Sequence, residues 1–373
     1  MTETLQSITY PRKRLARGFL RTSGRLLIPI LSRLKIEGKN NFPKRGPLLV
    51  VGNHVAVMEA ILMNVFSPWQ VEMLGAADIP HEKISQIFST LYGFIPVNRG
   101  HIDRPALTAG LNVLKQNGVI GIFPEGGIWE PGIMKPQTGV SWLSYRGNAP
   151  VLPIGFSGML GSLDAFLKLQ RPKLVMKIGQ LIQPVTLKTG VPRKIVFENF
   201  AEEVMIAVRG LILPNDPSRH VAIKDEEFEL KTEAFTANQE MVAIPASVTI
   251  QNQAALSKFF HRPAILKIFR RNLQLPIAPL QNLVQQDNPQ SIKAALEAVL
   301  NYLENENPYL LTYRFGPKNA EEMFLGLQEL LKFTNWAVNE NFSVRVTPIW
   351  KYFSIEQNKH ISQTSQGAFT DWM

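Results

Sequence analysis

The chain has 373 residues, of which 45% are hydrophobic, and its formal net charge is +10. This length suits two domains, or one large domain with an appendage, and the composition excludes a generally disordered chain. The sequence has no cysteine, which excludes disulfides, thiolate metal sites and cysteine nucleophiles. Its six histidines show no metal-ligand spacing, so we predict no metal site.

The positive charge is concentrated near the N-terminus. Residues 1–60 contain 11 Lys and Arg against 3 Asp and Glu, whereas residues 221–373 contain 14 against 16. A local basic patch indicates an anionic partner, either anionic lipid or nucleic acid. Because nothing beyond this patch favours nucleic acid, we predict a membrane surface with anionic lipids as the partner, and no nucleic acid.

We treat residues 1–36 as an N-terminal segment, in which residues 11–36 have the pattern of a basic amphipathic helix. One side is apolar and another carries arginines: Leu15, Phe19, Leu26 and Ile30 on the first, Arg14, Arg17, Arg21 and Arg25 on the second. Two glycines and Pro29 lower the helix propensity, which favours a bent or two-piece helix. Two interpretations are open, and both can hold together: a helix lying in a membrane interface, and a surface helix packed on the domain.

No stretch of the chain has the roughly 18 uncharged apolar residues that a membrane span needs. The opening residues also lack the pattern of a signal peptide. We therefore expect a cytoplasmic protein that is peripheral on the inner face of the membrane.

Short apolar segments alternate with amphipathic segments between residue 46 and residue 215. This alternation predicts an α/β domain over residues 37–215, in which a sheet with parallel strands is covered by helices on both faces. The acidic segment 216–234 is interpreted as a linker.

Residues 235–373 are predicted to form an additional C-terminal α/β-like unit, whose role the sequence does not indicate. Ser291–Glu304 and Ala320–Thr334 have helical patterns. The segments YLLTYRF, at 309–315, and FSVRVTPIWKYF, at 342–353, are predicted strands.

Polar residues follow several predicted strands of the α/β domain. The stretch LLVVGNHVAVMEAIL, residues 48–62, is apolar apart from Asn53, His54 and Glu59. Arg99 follows the strand FIPVN, and Glu125 follows the strand VIGIFP. Because ligands of open α/β sheets gather at the carboxyl ends of strands, these groups are predicted to share one cleft. Each alone also has a structural explanation, such as a hydrogen-bonded buried histidine or a Pro-Glu-Gly turn.

Taken in order, these motifs resemble those of the glycerolipid acyltransferases, a family that includes lysophosphatidate acyltransferases. The first family block is Asn-His, four residues and an Asp, which Asn53-His54 with Glu59 resembles. The others are an Arg after a short strand (FIPVNRG), Phe-Pro-Glu-Gly (123–126) and a Pro-containing strand (VLPIGF). The resemblance implies a glycerol-3-phosphate acyltransferase-like fold, with a mixed sheet flanked by helices, and O-acyltransferase activity.

The resemblance implies that His54 is a general base, which takes the proton of an alcohol as it attacks an acyl thioester. It implies that Glu59 orients the imidazole and stabilises the imidazolium. A spacing of five residues allows this only if His54 lies in the turn before a helix and Glu59 in its first turns.

The same resemblance implies substrate-binding roles for Asn53, Arg99, Gly100, Glu125 and Gly126, with a phosphate-bearing acceptor near Arg99 and the Glu125–Gly126 turn. The acyl donor is a substrate, either acyl-CoA or acyl carrier protein loaded with an acyl chain, and no bound cofactor is implied. The predicted reaction is acyl transfer to a lysophospholipid hydroxyl, such as that of 1-acylglycerol-3-phosphate, in phospholipid biosynthesis.

Two positions depart from the family pattern. Glu59 stands where the family usually has Asp. Gly127 and Ile128 stand where the family commonly has Thr or Ser and then Arg. The missing arginine leaves two alternatives open: an acyltransferase acting on a non-phosphate lipid acceptor, and a lipid-binding module that has lost catalysis.

Overall fold

The computed structural model describes residues 8–77, 90–98, 102–126, 136–216, 223–281, 283–284, 288–354 and 358–364. The chain divides into two compact units, residues 1–220 and residues 221–373. Among the described residues, no helix is long and apolar enough to cross a membrane.

The first unit is built on a seven-stranded mixed sheet, as the fold class predicted. Its strands are β1 (Arg33–Glu37), β2 (Leu48–Gly52), β3 (Val71–Ala76), β4 (Ile95–Val97), β5 (Val119–Ile122), β6 (Val151–Ser157) and β7 (Lys173–Ile178). Their order across the sheet is β1-β7-β6-β2-β5-β3-β4. The five adjacent strands from β6 to β4 are parallel, and β1 and β7 run antiparallel to them.

Helices cover both faces of this sheet. They are α1 (Arg14–Leu31), α2 (Met58–Phe66), α3 (Arg104–Lys115), α4 (Gly139–Gly147), α5 (Ser162–Leu167) and α6 (Arg193–Leu211). Since side chains alternate along a strand, Leu48 and Val50 of β2 enter the core with α1, α2 and α5. Leu49 and Val51 enter the opposite core, with α3, α4 and α6. The buried, apolar β2 therefore holds the residue that follows it in a fixed position.

The predicted N-terminal helix is shorter than expected and is one piece. It spans Arg14–Leu31 with Pro29 inside its last turn, and residues 33–37 form an edge strand instead. Pro29 is tolerated because the helix ends two residues later, where the Ser32 hydroxyl donates to the carbonyl of Ile28.

The arginine side of α1 faces the domain. Arg17 is fully buried against Glu72. Arg21 donates to the carbonyl of Ser67, and Arg25 donates to the carbonyls of Val65 and Ser67. The helix is therefore packed on the domain, as the second interpretation stated, and its apolar side is exposed.

The second unit combines an antiparallel sheet with helices. Its strands are β8 (Ile223–Phe235), β9 (Met241–Val242), β10 (Ser343–Ser354) and β11 (Lys359–Thr364), in the order β11-β10-β8-β9. Its helices are α7 (Gln253–Phe260), α8 (Pro263–Lys267), α9 (Ala278–Gln281), α10 (Pro289–Asn305), α11 (Leu310–Phe315) and α12 (Pro317–Asn339). The two predicted helices and the predicted strand at 342–353 are confirmed by α10, α12 and β10.

Two predictions for this region are wrong. The acidic segment 216–234 is not a linker along its described length, because residues 223–235 form the long strand β8. Its acidic residues have basic partners within the second unit: Glu229 pairs with Lys351, Glu233 lies 3.9 Å from Arg345, and Glu226 lies 3.4 Å from Arg262. The segment YLLTYRF is mainly helical rather than a strand, since Leu310 and Leu311 are both buried as α11 meets α12.

Candidate active site

The turn between β2 and α2 is held by tight packing and by the Asn53 side chain. A side chain at Gly52 would place its Cβ 2.7 Å from the ring of Phe156, so the position requires glycine. The Asn53 amide donates to the Phe156 carbonyl at 3.1 Å and accepts from the Phe156 N–H at 2.8 Å. This differs from the predicted substrate contact, because the buried amide ties β2 to β6 and fixes the turn.

His54 lies in this turn, at the carboxyl end of β2, and its side chain is 16% exposed. Its ring stacks on Phe123, with centroids 4.1 Å apart and planes inclined by 11°. The stacked ring is thus fixed in orientation while part of it remains open to a substrate. Phe123 was not predicted to be a site residue, although it is the first residue of the Phe-Pro-Glu-Gly motif.

Glu59 lies in the first turn of α2, as the spacing required, and its side chain is fully buried. Its carboxylate accepts hydrogen bonds from the N–H groups of Val55 and Ala56 at 2.9–3.1 Å. One carboxylate oxygen is also 3.9 Å from Nδ1 of His54, which has no hydrogen-bond partner. Glu59 therefore holds the His54 turn through its backbone and faces the imidazole at ion-pair distance.

Glu125 contacts the same turn from the strand end of β5. Its carboxyl group accepts the backbone N–H of His54 at 3.1 Å. Burial raises the pKa of Glu125 to about 8, and the nearby charge of Glu59 adds to this, against the opposing hydrogen bond from His54. The next residue, Gly126, has φ +77° and closes a turn onto the Phe123 carbonyl.

The structure therefore brings His54, Glu59, Glu125 and Gly126 to one edge of the sheet. Arg99 and Gly100 lie outside the described residues, as do Gly127 and Ile128, so their predicted roles stay predictions. No metal-binding group of three or more His, Asp or Glu side chains occurs in the described part of the chain.

Asp103 is a buried helix cap that the sequence interpretation missed. Its buried carboxylate caps α3 by accepting the N–H of Ala106 at 3.0 Å, and it accepts the N–H of Asn98 at 2.8 Å. It thus ties together the two ends of the segment that contains Arg99. The signal was available, since Asp followed by Pro105 at the second helical position is a helix-start pattern.

The raised pKa of Glu125 predicts a pH effect on stability. A carboxyl group whose pKa is higher in the folded state holds its proton more tightly there, so the unfolding free energy falls as pH rises from about 4.5 to about 8. Glu125→Gln keeps an oxygen for the His54 N–H and removes the titration. We expect the variant to be as stable as the parent near pH 5 and more stable at pH 9, by on the order of 3–5 kcal/mol.

Urea unfolding at pH 5, 7 and 9 measures this difference. The matched control is Glu198→Gln, which changes a half-exposed glutamate on α6 and is expected to leave the pH profile unchanged. A constant free-energy difference between Glu125→Gln and the parent across this range contradicts the assignment.

Comparison with known proteins shows which family this part of the chain is similar to. A family model described as Acyltransferase matches residues 33–157, a range that contains the His54 turn, Glu59 and Glu125. This part of the chain is similar to the Acyltransferase family. The predicted resemblance to the glycerolipid acyltransferase family is confirmed by this match together with named relatives.

Two relatives are both named 1-acyl-sn-glycerol-3-phosphate acyltransferase. The protein of Bacillus subtilis (strain 168) is 21% identical over 158 residues, which are 42% of this chain and 77% of the relative. That of Borreliella burgdorferi is 27% identical over 96 residues, 25% of this chain and 38% of the relative. The crystal structure of the 1-acyl-sn-glycerophosphate acyltransferase PlsC from Thermotoga maritima aligns with 55% of this chain and 83% of its own, at 19% identity and a TM-score of 0.39.

Proposed function

We propose that this acyltransferase moves a fatty acyl group from an acyl thioester to the hydroxyl of a lysophospholipid such as 1-acylglycerol-3-phosphate, as a step of phospholipid biosynthesis. The observation that carries the proposal is the partly exposed imidazole of His54, stacked on Phe123 and 3.9 Å from the buried carboxylate of Glu59. The names of the two relatives support the choice of acceptor.

The chemistry follows from this arrangement. Nδ1 of His54 faces Glu59, so Nε2 is the atom left to accept the proton of the acceptor hydroxyl. The alcohol oxygen then attacks the thioester carbonyl carbon, and the C–S bond breaks as the new ester forms. The departing thiolate takes the proton back from the imidazolium, and Glu59 stabilises the imidazolium while it exists.

The donor in this proposal is acyl-CoA or acyl carrier protein with its acyl chain, and it is used as a substrate. The protein works as a peripheral protein on the inner, anionic face of the cytoplasmic membrane. Support comes from the exposed apolar side of α1, where Leu15, Phe19, Leu26 and Ile30 are 63–91% exposed. An apolar helix side of this size suits a helix lying in the interface.

A non-phosphate lipid acceptor is the second candidate, because Gly127 and Ile128 replace the family's usual residues. The two candidates predict different effects of Arg99. If the acceptor carries a phosphate, Arg99→Ala is expected to lower kcat/KM for that acceptor. The corresponding loss of transition-state stabilisation is about 2–4 kcal/mol. Arg99→Lys is expected to recover only part, since a lysine cannot make two parallel bonds to one phosphate.

The experiment presents purified protein with acyl-CoA and a panel of phosphate-bearing and neutral lysolipids, with products identified by mass. Preference for 1-acylglycerol-3-phosphate, lost selectively in Arg99→Ala, supports the proposal. Preference for a neutral lysolipid, with a gain on the phosphate acceptor in Ile128→Arg, supports the second candidate. Absence of transfer to every acceptor, also when acyl carrier protein loaded with an acyl chain replaces acyl-CoA as the donor, contradicts both.

A further inference from the structure

The exposed side of α1 has a neighbour of similar character. The turn between α5 and β7 exposes two leucines, Leu167 by 52% and Leu169 by 68%. Three basic residues, Lys168, Arg171 and Lys173, are exposed in the same short stretch. Apolar tips among basic side chains are the composition of a segment that enters the headgroup region of an anionic bilayer.

This turn has a defined shape. The N–H of Leu169 donates to the Phe166 carbonyl at 3.1 Å, and that of Gln170 donates to the Ala165 carbonyl at 2.9 Å. Leu169 and Arg171 have φ of +58° and +49°, a left-handed conformation that is uncommon for such residues. The chain therefore holds Leu169 outward in solvent, at some conformational cost, where burial would be favourable.

The turn and α1 adjoin on the same face of the sheet. β1 follows α1 directly, and the N–H of Arg33 at its start donates to the Pro172 carbonyl at the end of the turn. Ile28 of α1 and Phe166 of α5 pack in the same core. The exposed leucines of the turn thus lie beside the C-terminal part of α1, where Leu26, Leu27 and Ile30 are exposed.

The direction of the strands places this surface at the edge that holds His54. β7 is antiparallel to β6, with Ser157 opposite Val175, and β6 is parallel to β2. The N-terminal ends of β1 and β7 therefore lie at the edge where β2 and β6 end. A lipid leaving a bilayer in contact with α1 and the turn reaches the candidate site along one edge of the sheet.

We propose that the α5–β7 turn is a second bilayer contact, which acts with the exposed side of α1 to dock the active-site edge of the sheet on an anionic membrane. The proposal rests on the proposed function for its purpose, although the contact itself is measurable without catalysis. Charge favours a bilayer over a second copy of the chain. A two-fold symmetric dimer through this surface would place the basic turns of the two copies next to each other, where they would repel.

The test variant is Leu167→Ser/Leu169→Asn, in which asparagine suits the positive φ of position 169. The matched control is Leu187→Ser/Val191→Ser, which changes two exposed apolar residues after β7, in the loop that leaves the opposite edge of the sheet. Both proteins and the parent are floated with vesicles of phosphatidylglycerol and phosphatidylcholine at low and high salt.

We expect the test variant to lose roughly 10- to 100-fold in its vesicle partition coefficient, and to keep this deficit at high salt, because the lost contribution is apolar. The control is expected to bind as the parent does. Partitioning of the test variant equal to that of the parent overturns the proposal, and so does a parent dimer that becomes monomeric in the test variant by sedimentation.

Acyl transfer measured on the same proteins separates this inference from the proposed function. If the parent transfers acyl groups, the ratio of its activity on vesicle-borne acceptor to that on short-chain monomeric acceptor is expected to fall in the test variant. If the parent transfers none but the partition coefficient still falls, the second contact stands and the proposed reaction fails.

Discussion

His54→Ala is expected to lower kcat by roughly 10²–10⁴-fold while the protein stays folded. This is the loss that follows from removing a general base, and it corresponds to about 3–5 kcal/mol of barrier. The backbone of the turn keeps its own supports, because Asn53 is bonded to Phe156 and Glu125 accepts the residue 54 N–H rather than its side chain. The fold therefore has little dependence on the imidazole.

Steady-state kinetics and circular dichroism on the same preparations check this result. His360→Ala is the matched control, since it removes an exposed histidine of the second unit and is expected to leave kcat unchanged. Parental turnover in a folded His54→Ala protein contradicts the general-base role. It also favours the alternative of a lipid-binding module.

Glu59→Gln is a companion variant that separates the two tasks of this residue. Its amide oxygen can still accept the N–H groups of Val55 and Ala56, so the turn is preserved. The negative charge facing Nδ1 of His54 is lost. A large fall in kcat with little change in the free energy of unfolding is therefore expected. If kcat falls only together with the free energy of unfolding, Glu59 serves only to hold the turn.

The sequence predicted the parts of the fold that depend on local pattern. The apolar run of β2 and the alternation of strands and helices reflect burial on both faces of the sheet, which periodicity records directly. The sequence also predicted that His54 lies before α2 and Glu59 in its first turn. With a spacing of five residues, the two side chains can share a site only in this arrangement.

Features that depend on a partner distant in the chain could not be predicted. The acidic residues of β8 resembled those of a solvated linker because their partners, Lys351 and Arg345, lie more than a hundred positions later. Asn53 was interpreted as a substrate contact because its backbone partner, Phe156, is not visible in a local pattern. The same limitation applied to α1, whose amphipathic pattern shows two sides without showing which one packs.

Glu72→Gln is expected to be among the most destabilising single changes in the first unit, by about 3–5 kcal/mol. The Glu72 carboxylate is fully buried and receives two hydrogen bonds from Arg17, at 2.5 and 2.8 Å, and two from the Arg12 side chain, at 2.8 and 3.0 Å. Arg17 is equally buried, and its guanidinium also lies 4.4 Å from the Tyr92 ring centroid. Neutralising Glu72 leaves the Arg17 charge in the core without its counterion.

The pH dependence provides an internal check. Burial alone would raise the pKa of Glu72, but the hydrogen bonds and charges of Arg17 and Arg12 outweigh it and lower the pKa. A carboxylate with a lowered folded-state pKa contributes stability above its unfolded pKa, near 4.5, and loses it as pH falls through the folded value. The difference in unfolding free energy between the parent and Glu72→Gln is therefore expected to have its largest value at pH 7 and to decrease in acid.

Arg17→Met/Glu72→Met is the control that separates the ion pair from the packing of α1. Replacing both partners by apolar side chains removes the two fully buried charges and leaves only the partly exposed Arg12 without its carboxylate partner. This protein is therefore expected to regain most of the stability lost in Glu72→Gln. Chemical unfolding measures both variants, and proteolysis of residues 8–31 reports whether α1 stays docked. A Glu72→Gln protein within about 0.5 kcal/mol of the parent contradicts the role of this pair, since that is the range of ordinary surface changes.

Arg17, Arg21 and Arg25 together explain why the apolar side of α1 points outward. They bind Glu72 and the carbonyls of Ser67 and Val65, so rotating the helix to bury its leucines would leave these groups and a buried carboxylate unpaired. That loss exceeds the gain from covering a few leucines, each of which contributes about 1.5–3 kcal/mol when fully buried. If Glu72→Gln frees α1 to rotate, vesicle binding of the variant protein is expected to fall, although no exposed apolar residue has been substituted. Unchanged vesicle binding in a variant whose α1 has become protease-sensitive would mean that the helix binds lipid independently of its docked orientation.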